Sequence, residues 1–152
     1  MKSAGNPERG RDLVGSSAVR SGEISMFTAE FRDRVRERVL ELARADPRVT
    51  GGALAGSTAI GLGDTWSDVD LAFGIADGNR LEDVLDDWTH LLNQEFGVIS
   101  HFDLHASHRR ISRVFLLPDG LELDVVVTAA VDFGARGPKF RPLFGTTHEV
   151  EA

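Results

Sequence analysis

Two acidic residues, Asp68 and Asp70, interrupt an apolar run near the middle of the chain. Val69, Leu71 and Phe73 alternate with them, and this period of two is typical of a β-strand that buries one face. Side chains at positions i and i+2 point to the same side of a strand, so both carboxylates are expected on one face, about 6 to 7 Å apart. Carboxylates this close repel each other unless a cation lies between them. The segment therefore predicts a strand whose polar face binds a cation.

A second segment, Leu121–Thr128, repeats the pattern. Its leucines and valines share one face, whereas Glu122 and Asp124 share the other. Asp124 lies further inside the apolar run, and we interpret Glu122 as a solvated or helper acid rather than a ligand. If this strand neighbours the one with Asp68 and Asp70, the sheet carries three carboxylates in one place. Oxygen ligands of this kind suit Mg²⁺, and such a cluster suits a two-metal site for phosphoryl or nucleotidyl transfer.

Gly56 and Ser57 follow the apolar run 49–55, and ten residues separate Ser57 from Asp68. Glycine lets the backbone turn tightly and approach a ligand closely. Ser57 is expected to begin a short helix, whose first N–H groups attract anions such as phosphate. No Lys follows in the manner of a Walker loop. The pair predicts a phosphate-binding turn that is distinct from the Walker type.

Together these segments resemble the signature of the DNA polymerase beta-like nucleotidyltransferase superfamily, especially its minimal and antibiotic-modifying bacterial members. The resemblance covers roughly residues 49 to 128. It implies that Asp68 and Asp70 bind two Mg²⁺ ions, and that Asp124 completes this metal site and can accept the proton of an acceptor hydroxyl. It also implies that Gly56 and Ser57 hold the triphosphate of ATP or another nucleoside triphosphate. The implied reaction is attack of the hydroxyl on the α-phosphate, with release of pyrophosphate.

Three functions are compatible with this resemblance. The first is an enzyme that modifies a hydroxyl of a small molecule such as an antibiotic. The second is a minimal nucleotidyltransferase antitoxin that modifies or masks a helical HEPN-type toxin. The third is a catalytically silent nucleotide-binding module. The expected partners are a nucleoside triphosphate and a hydroxyl-bearing acceptor, with a helical partner chain or a second copy as further options.

The composition narrows the class of protein. The formal net charge is −7, which does not favour general binding to a nucleic-acid backbone. The chain contains no cysteine, so it has neither disulfides nor thiolate metal sites. No apolar run approaches the roughly 20 residues that span a membrane. We therefore expect a cytoplasmic protein.

The remaining pattern predicts the fold class. A helix is expected from an N-cap at Ser25 to a stop at Pro47, and a second helix is expected to end at Gly97. Strands are expected at 98–105, 111–117 and 121–128, and the last two are joined by a hairpin turn at Pro118-Asp119-Gly120. We predict an α/β (α+β) fold with a mixed sheet of about five strands flanked by helices. Residues 1–22 are expected to be a flexible tail, 23–130 the catalytic domain, and 131–152 an extended arm or a linker.

Three further features have two interpretations each. His101, His105 and His108 could bind a metal, but their spacing matches no zinc motif, and ordinary polar roles are favoured. Trp66 could stack on a base or close the edge of the core. The basic segment 136–141 could hold a triphosphate, although an interface or linker is the preferred interpretation.

Overall fold

The computed structural model describes residues 26–55, 68–135, 140–145 and 148–149. These residues form two helices, two short 3₁₀ turns at Pro118–Gly120 and Ala130–Asp132, and eight strands. The helices and strands are α1 (Ala29–Ala45), β1 (Val49–Leu54), β2 (Val69–Ile75), α2 (Leu81–Phe96), β3 (Ser100–Ser107), β4 (Arg110–Leu116), β5 (Glu122–Ala129), β6 (Gly134–Ala135), β7 (Arg141–Gly145) and β8 (His148–Glu149).

Six of the strands form one mixed sheet in the order β3-β4-β5-β2-β1-β7. The β2–β5 pair is parallel and the other neighbours are antiparallel, so the predicted mixed sheet is confirmed. The sixth strand is β7, which pairs with β1 and lies in the segment predicted to be an extended arm. Pro142 within β7 fits this position, because proline is tolerated on an edge strand. The remaining strands, β6 and β8, form a separate two-stranded parallel sheet.

The helix ends follow from local sequence chemistry. The side chain of Thr28 caps α1 by accepting a hydrogen bond from the Phe31 N–H at 3.0 Å. This cap differs from the expected one at Ser25, which lies outside the described residues. The first helix ends at Ala45, one residue before Asp46, since the residue preceding a proline avoids the helical region. As predicted, α2 ends at Gly97, which adopts a left-handed φ of 78°.

The main core lies between one face of the sheet and both helices. Val69, Leu71 and Phe73 of β2 point into it, as the alternation predicts. The ring of Phe73 meets that of Trp88 edge-on, with 5.2 Å between the centroids. No helix in the described part of the chain is long and apolar enough to cross a membrane.

The opposite face of the sheet carries a much smaller apolar cluster of Ala53, Ala72 and Phe133, with Val126 and Phe140 packed against it. Among the described residues, this cluster contains no residue of either helix. The prediction that helices flank the sheet is therefore realised on one face of the described structure. The other face is the polar side of β2 and β5, where the acidic residues were expected.

A buried arginine ties the β3–β4 hairpin to α2. Arg113 is 5% exposed and donates to both carboxylate oxygens of Asp103 on β3, at 2.6 and 2.8 Å. It also donates to Asp86 and Thr89 of α2, each at 3.0 Å. Asp103 therefore has a structural partner.

Candidate functional site

Asp70 and Asp124 lie side by side at the centre of the sheet. The parallel register of β2 and β5 pairs one directly with the other, on strands whose usual separation is about 4.8 Å. Asp70 is 8% exposed and Asp124 is half-buried. The adjacency of the two acidic strands, on which the three-carboxylate hypothesis depends, is thus present in the structure.

Asp68 stands immediately before β2 and is half-buried. Its Oδ2 accepts a hydrogen bond from the Glu122 N–H at 2.9 Å, and its own N–H donates to the Glu122 carbonyl at 3.0 Å. These two bonds fasten the entry of β2 to the start of β5. Asp68 therefore lies at the same end of the strand pair as Asp70 and Asp124, with one carboxylate oxygen already bonded to the backbone.

The carboxylate of Asp124 is held by a residue that the sequence reasoning missed. The Ser112 hydroxyl on β4 donates to Asp124 Oδ1 at 2.5 Å. Burial raises the pKa of Asp124, while the Ser112 hydrogen bond and the charge of Arg110 lower it in part. Ser112 and Arg110 alternate with the buried residues of β4, and this period of two was the available signal. The alternation does not indicate which neighbouring strand the side chains of Ser112 and Arg110 would contact.

The described chain is interrupted between Ala55 and Asp68, and both of these residues lie beside the acids. The Ala55 N–H, one residue beyond β1, donates to the Asp70 carbonyl at 3.1 Å, and the Asp68 N–H donates to the Glu122 carbonyl. The predicted phosphate-binding residues Gly56 and Ser57 lie outside the described residues, as does Trp66. Their roles remain predictions, but the described chain on either side of the segment is adjacent to Asp70.

A cleft of about 290 Å³ opens on the same face of the sheet, next to the acids. Its floor includes Ala72 and Val126, which lie two residues beyond Asp70 and Asp124 on the same strands. Eleven residues line it: Ala55, Ala72, Ser107, Arg109, Arg110, Val126, Thr128, Asp132, Phe133, Gly134 and Phe140. Six of these residues are apolar or glycine, and the five polar ones include Arg110 and Thr128, which pair directly across β4 and β5.

Two cations lie at the polar side of the cleft. Arg109 forms an ion pair with Asp132 at 2.7 Å between Nε and Oδ2. Arg110 lines the cleft and pairs with Thr128 across β4 and β5, and its charge lowers the pKa of Asp124 in part. In the basic segment 136–141, residues 136–139 lie outside the described residues, whereas Arg141 is an exposed residue of β7.

The described residues contain no preformed cluster of three or more histidine, cysteine, aspartate or glutamate side chains arranged around a metal position. His101 lies against Phe115, with 5.9 Å between the ring centroids, and Asp103 next to it binds Arg113. These contacts favour the ordinary polar roles for the strand histidines. Asp70 and Asp124 are direct neighbours across the β2–β5 pair.

Comparison with protein-family models gives no match for this chain, and comparison with curated proteins gives none.

Proposed function

We propose that this protein is a Mg²⁺-dependent nucleotidyltransferase that moves a nucleoside monophosphate, from ATP or another nucleoside triphosphate, to an acceptor hydroxyl. The supporting observation is the in-register pairing of Asp70 with Asp124 on adjacent parallel strands. Asp68, at the entry of β2, and Ala55, one residue beyond β1, lie at the same end of this pair. This adjacency supports the proposal, because the resemblance assigns all three acids to one site.

The three carboxylates are chemically suitable ligands for a magnesium ion. Carboxylate oxygens are its preferred protein ligands, and it commonly binds through one or two carboxylates plus substrate phosphates. Asp70 and Asp124 would hold it, and Asp68 would contribute through Oδ1 because Oδ2 accepts the Glu122 N–H. When bound, the ion neutralises the charge of the phosphates. The raised pKa of Asp124 supports this fit, because an ionised carboxylate in this setting is costly until a cation offsets it.

The chain's own groups suggest how a proton would be handled. An acceptor hydroxyl must lose its proton as it attacks phosphorus, and the resemblance assigns that proton to the Asp124 carboxylate. The Ser112 hydroxyl, bonded to Oδ1, would keep the carboxylate oriented and leave Oδ2 to receive the proton. Ser112 is thus proposed as a positioning residue.

Transfer is tested with ATP labelled at the α-phosphate, Mg²⁺ and a panel of hydroxyl-bearing acceptors. Asp70→Asn and Asp124→Asn should each lower transfer by at least about 100-fold, since even outer partners of metal ligands are worth 10- to 100-fold. Glu122→Gln is the matched control, because Glu122 shares the polar face of β5 with Asp124 but is not proposed as a ligand. Unchanged transfer in both Asp variants would refute the site.

The same assay separates the alternatives for the acceptor. Label on a small molecule supports an antibiotic-type acceptor, whereas label on an added helical partner protein supports the antitoxin function. Binding of Mg²⁺ and ATP without transfer to any acceptor supports the silent nucleotide-binding module.

A further inference from the structure

We infer that the cleft beyond Asp70 and Asp124 is the binding site for the base of the nucleoside triphosphate. This inference rests on the proposed function and adds to it the residues that would contact the base. Ala72 and Val126, on the cleft floor, are one same-face step along β2 and β5 from the two acids. One such step is about 6 to 7 Å, and a nucleotide places a single ribose between its α-phosphate and its base.

The size of the cleft favours one ring system. Its volume of about 290 Å³ is at the lower end of the range for ligand pockets, which is roughly 300 to 1,000 Å³ for drug-sized molecules. The floor is open because its side chains are small, notably Ala55 and Ala72. A base fits this space, whereas a whole multi-ring acceptor does not.

The lining favours an aromatic ring over a sugar. Phe133 and Phe140 form one wall, with their rings edge-on and 5.3 Å between the centroids. Phe140 is only half-buried, so part of its ring remains open to a ligand, whereas Phe133 is 2% exposed. Any base can stack on an aromatic side chain, whatever polar atoms the base carries, because every base has a π-face. A sugar ring would bring several hydroxyls against the apolar floor, where unpaired polar groups are costly.

The polar groups lie at the end of the cleft away from the two acids. Arg110 pairs with Thr128 across β4 and β5, two same-face steps along β5 from Asp124. The Thr128 hydroxyl, Arg110 and the Arg109–Asp132 pair therefore offer donors and acceptors to the edge of a base that lies on the floor.

The test compares two probes by calorimetry in Mg²⁺: ATP, and inorganic tripolyphosphate, which lacks the nucleoside. Wild type should bind ATP more tightly than tripolyphosphate. Phe140→Ala should weaken ATP by about 10-fold, within the roughly 5- to 150-fold range of base–aromatic stacking, and leave tripolyphosphate unchanged. Phe102→Ala is the control, since Phe102 is an exposed phenylalanine on β3 that does not line the cleft.

A second measurement needs only the wild-type protein, so it holds even if Phe140→Ala folds poorly. In methyl NMR spectra, ATP should shift the methyl signals of Ala72 and Val126 through the ring current of the base, whereas tripolyphosphate should not. Equal shifts with both probes, or an unchanged ATP affinity in a folded Phe140→Ala, would overturn the base site while leaving the proposed function standing. If wild type binds neither probe, the proposed function fails with it.

Discussion

Replacing Asp103 by Asn should lower the free energy of unfolding by about 2 to 3 kcal/mol at neutral pH, because it weakens the pairing of a buried arginine. Arg113 is 5% exposed and makes its two shortest side-chain bonds, 2.6 and 2.8 Å, to the Asp103 carboxylate. Removing one partner of a buried ion pair costs about 3 to 5 kcal/mol. The Asp103 side chain is 21% exposed and Arg113 keeps its bonds to Asp86 and Thr89, which place the expected loss below that range.

The matched control removes the other acid that contacts the same arginine. Asp86 makes a single 3.0 Å bond to Arg113 and its side chain is 65% exposed. Exposed ion pairs contribute about 0 to 1 kcal/mol, so Asp86→Asn should cost no more than that. Urea denaturation gives both values directly if the slope of each transition is unchanged. At this chain length each kcal/mol corresponds to about 2 to 4 °C in Tm, so Asp103→Asn should melt roughly 4 to 12 °C below wild type.

The pH dependence gives an independent check. The hydrogen bonds from Arg113 are the main cause that lowers the pKa of Asp103 below its ordinary value of 3.8. A carboxylate whose pKa is lower in the folded state stabilises the protein above the unfolded pKa, and this contribution is lost as the pH falls through the folded value. The difference between wild type and Asp103→Asn should therefore be full at pH 7 and shrink below about pH 4. Equal losses for Asp103→Asn and Asp86→Asn, or a difference independent of pH, would refute the reasoning.

Two further predictions concern the site and the edge of the sheet. Without divalent cations at pH 7, Asp124→Asn should unfold at a higher urea concentration than wild type, because burial raises the pKa of Asp124 and its ionised form costs stability that an amide does not. The difference in stability between Asp124→Asn and wild type should disappear below the ordinary pKa of 3.8. Equal stability of the two proteins at pH 7 would contradict the raised pKa of Asp124. Gly52→Ala should cost about 1 to 3 kcal/mol in calorimetric unfolding, because an added Cβ would overlap the Phe144 ring of β7. Phe144→Leu, combined with Gly52→Ala, should recover part of this loss. A wild-type Tm for Gly52→Ala alone would show that β1 and β7 pack more loosely than the structure indicates.

The acidic strands could be predicted from the sequence because their signal is local. Asp70 and Asp124 each alternate with apolar neighbours, and the structure keeps that alternation. That these strands are neighbours could only be hypothesised, and their parallel register was not predicted, since no local pattern states which strands pair. Ser112 was missed for the same reason, because its partner lies on the next strand.

Two other features were missed because their sequence signals point elsewhere. The segment Arg141–Gly145 is short and contains a proline, so it reads as irregular chain, yet an edge strand tolerates both properties. Arg113 sits on the buried face of β4, where a charge is not expected from patterning. Its burial depends on Asp103 and on α2, which are distant in the sequence.

The position of β1 between β2 and β7 has a consequence for the nascent chain. The first partner of β1 follows soon after it in the sequence, and β5, which pairs with β2, also precedes β7 in the sequence. The other edge of β1 waits for Arg141–Gly145. Until those residues leave the ribosome, β1 presents unpaired N–H and C=O groups, which are a template for pairing with another chain. The paired acids can thus be assembled while the strand that leads into the 56–67 segment still has an open edge, so the last residues of the sheet protect newly made molecules from association.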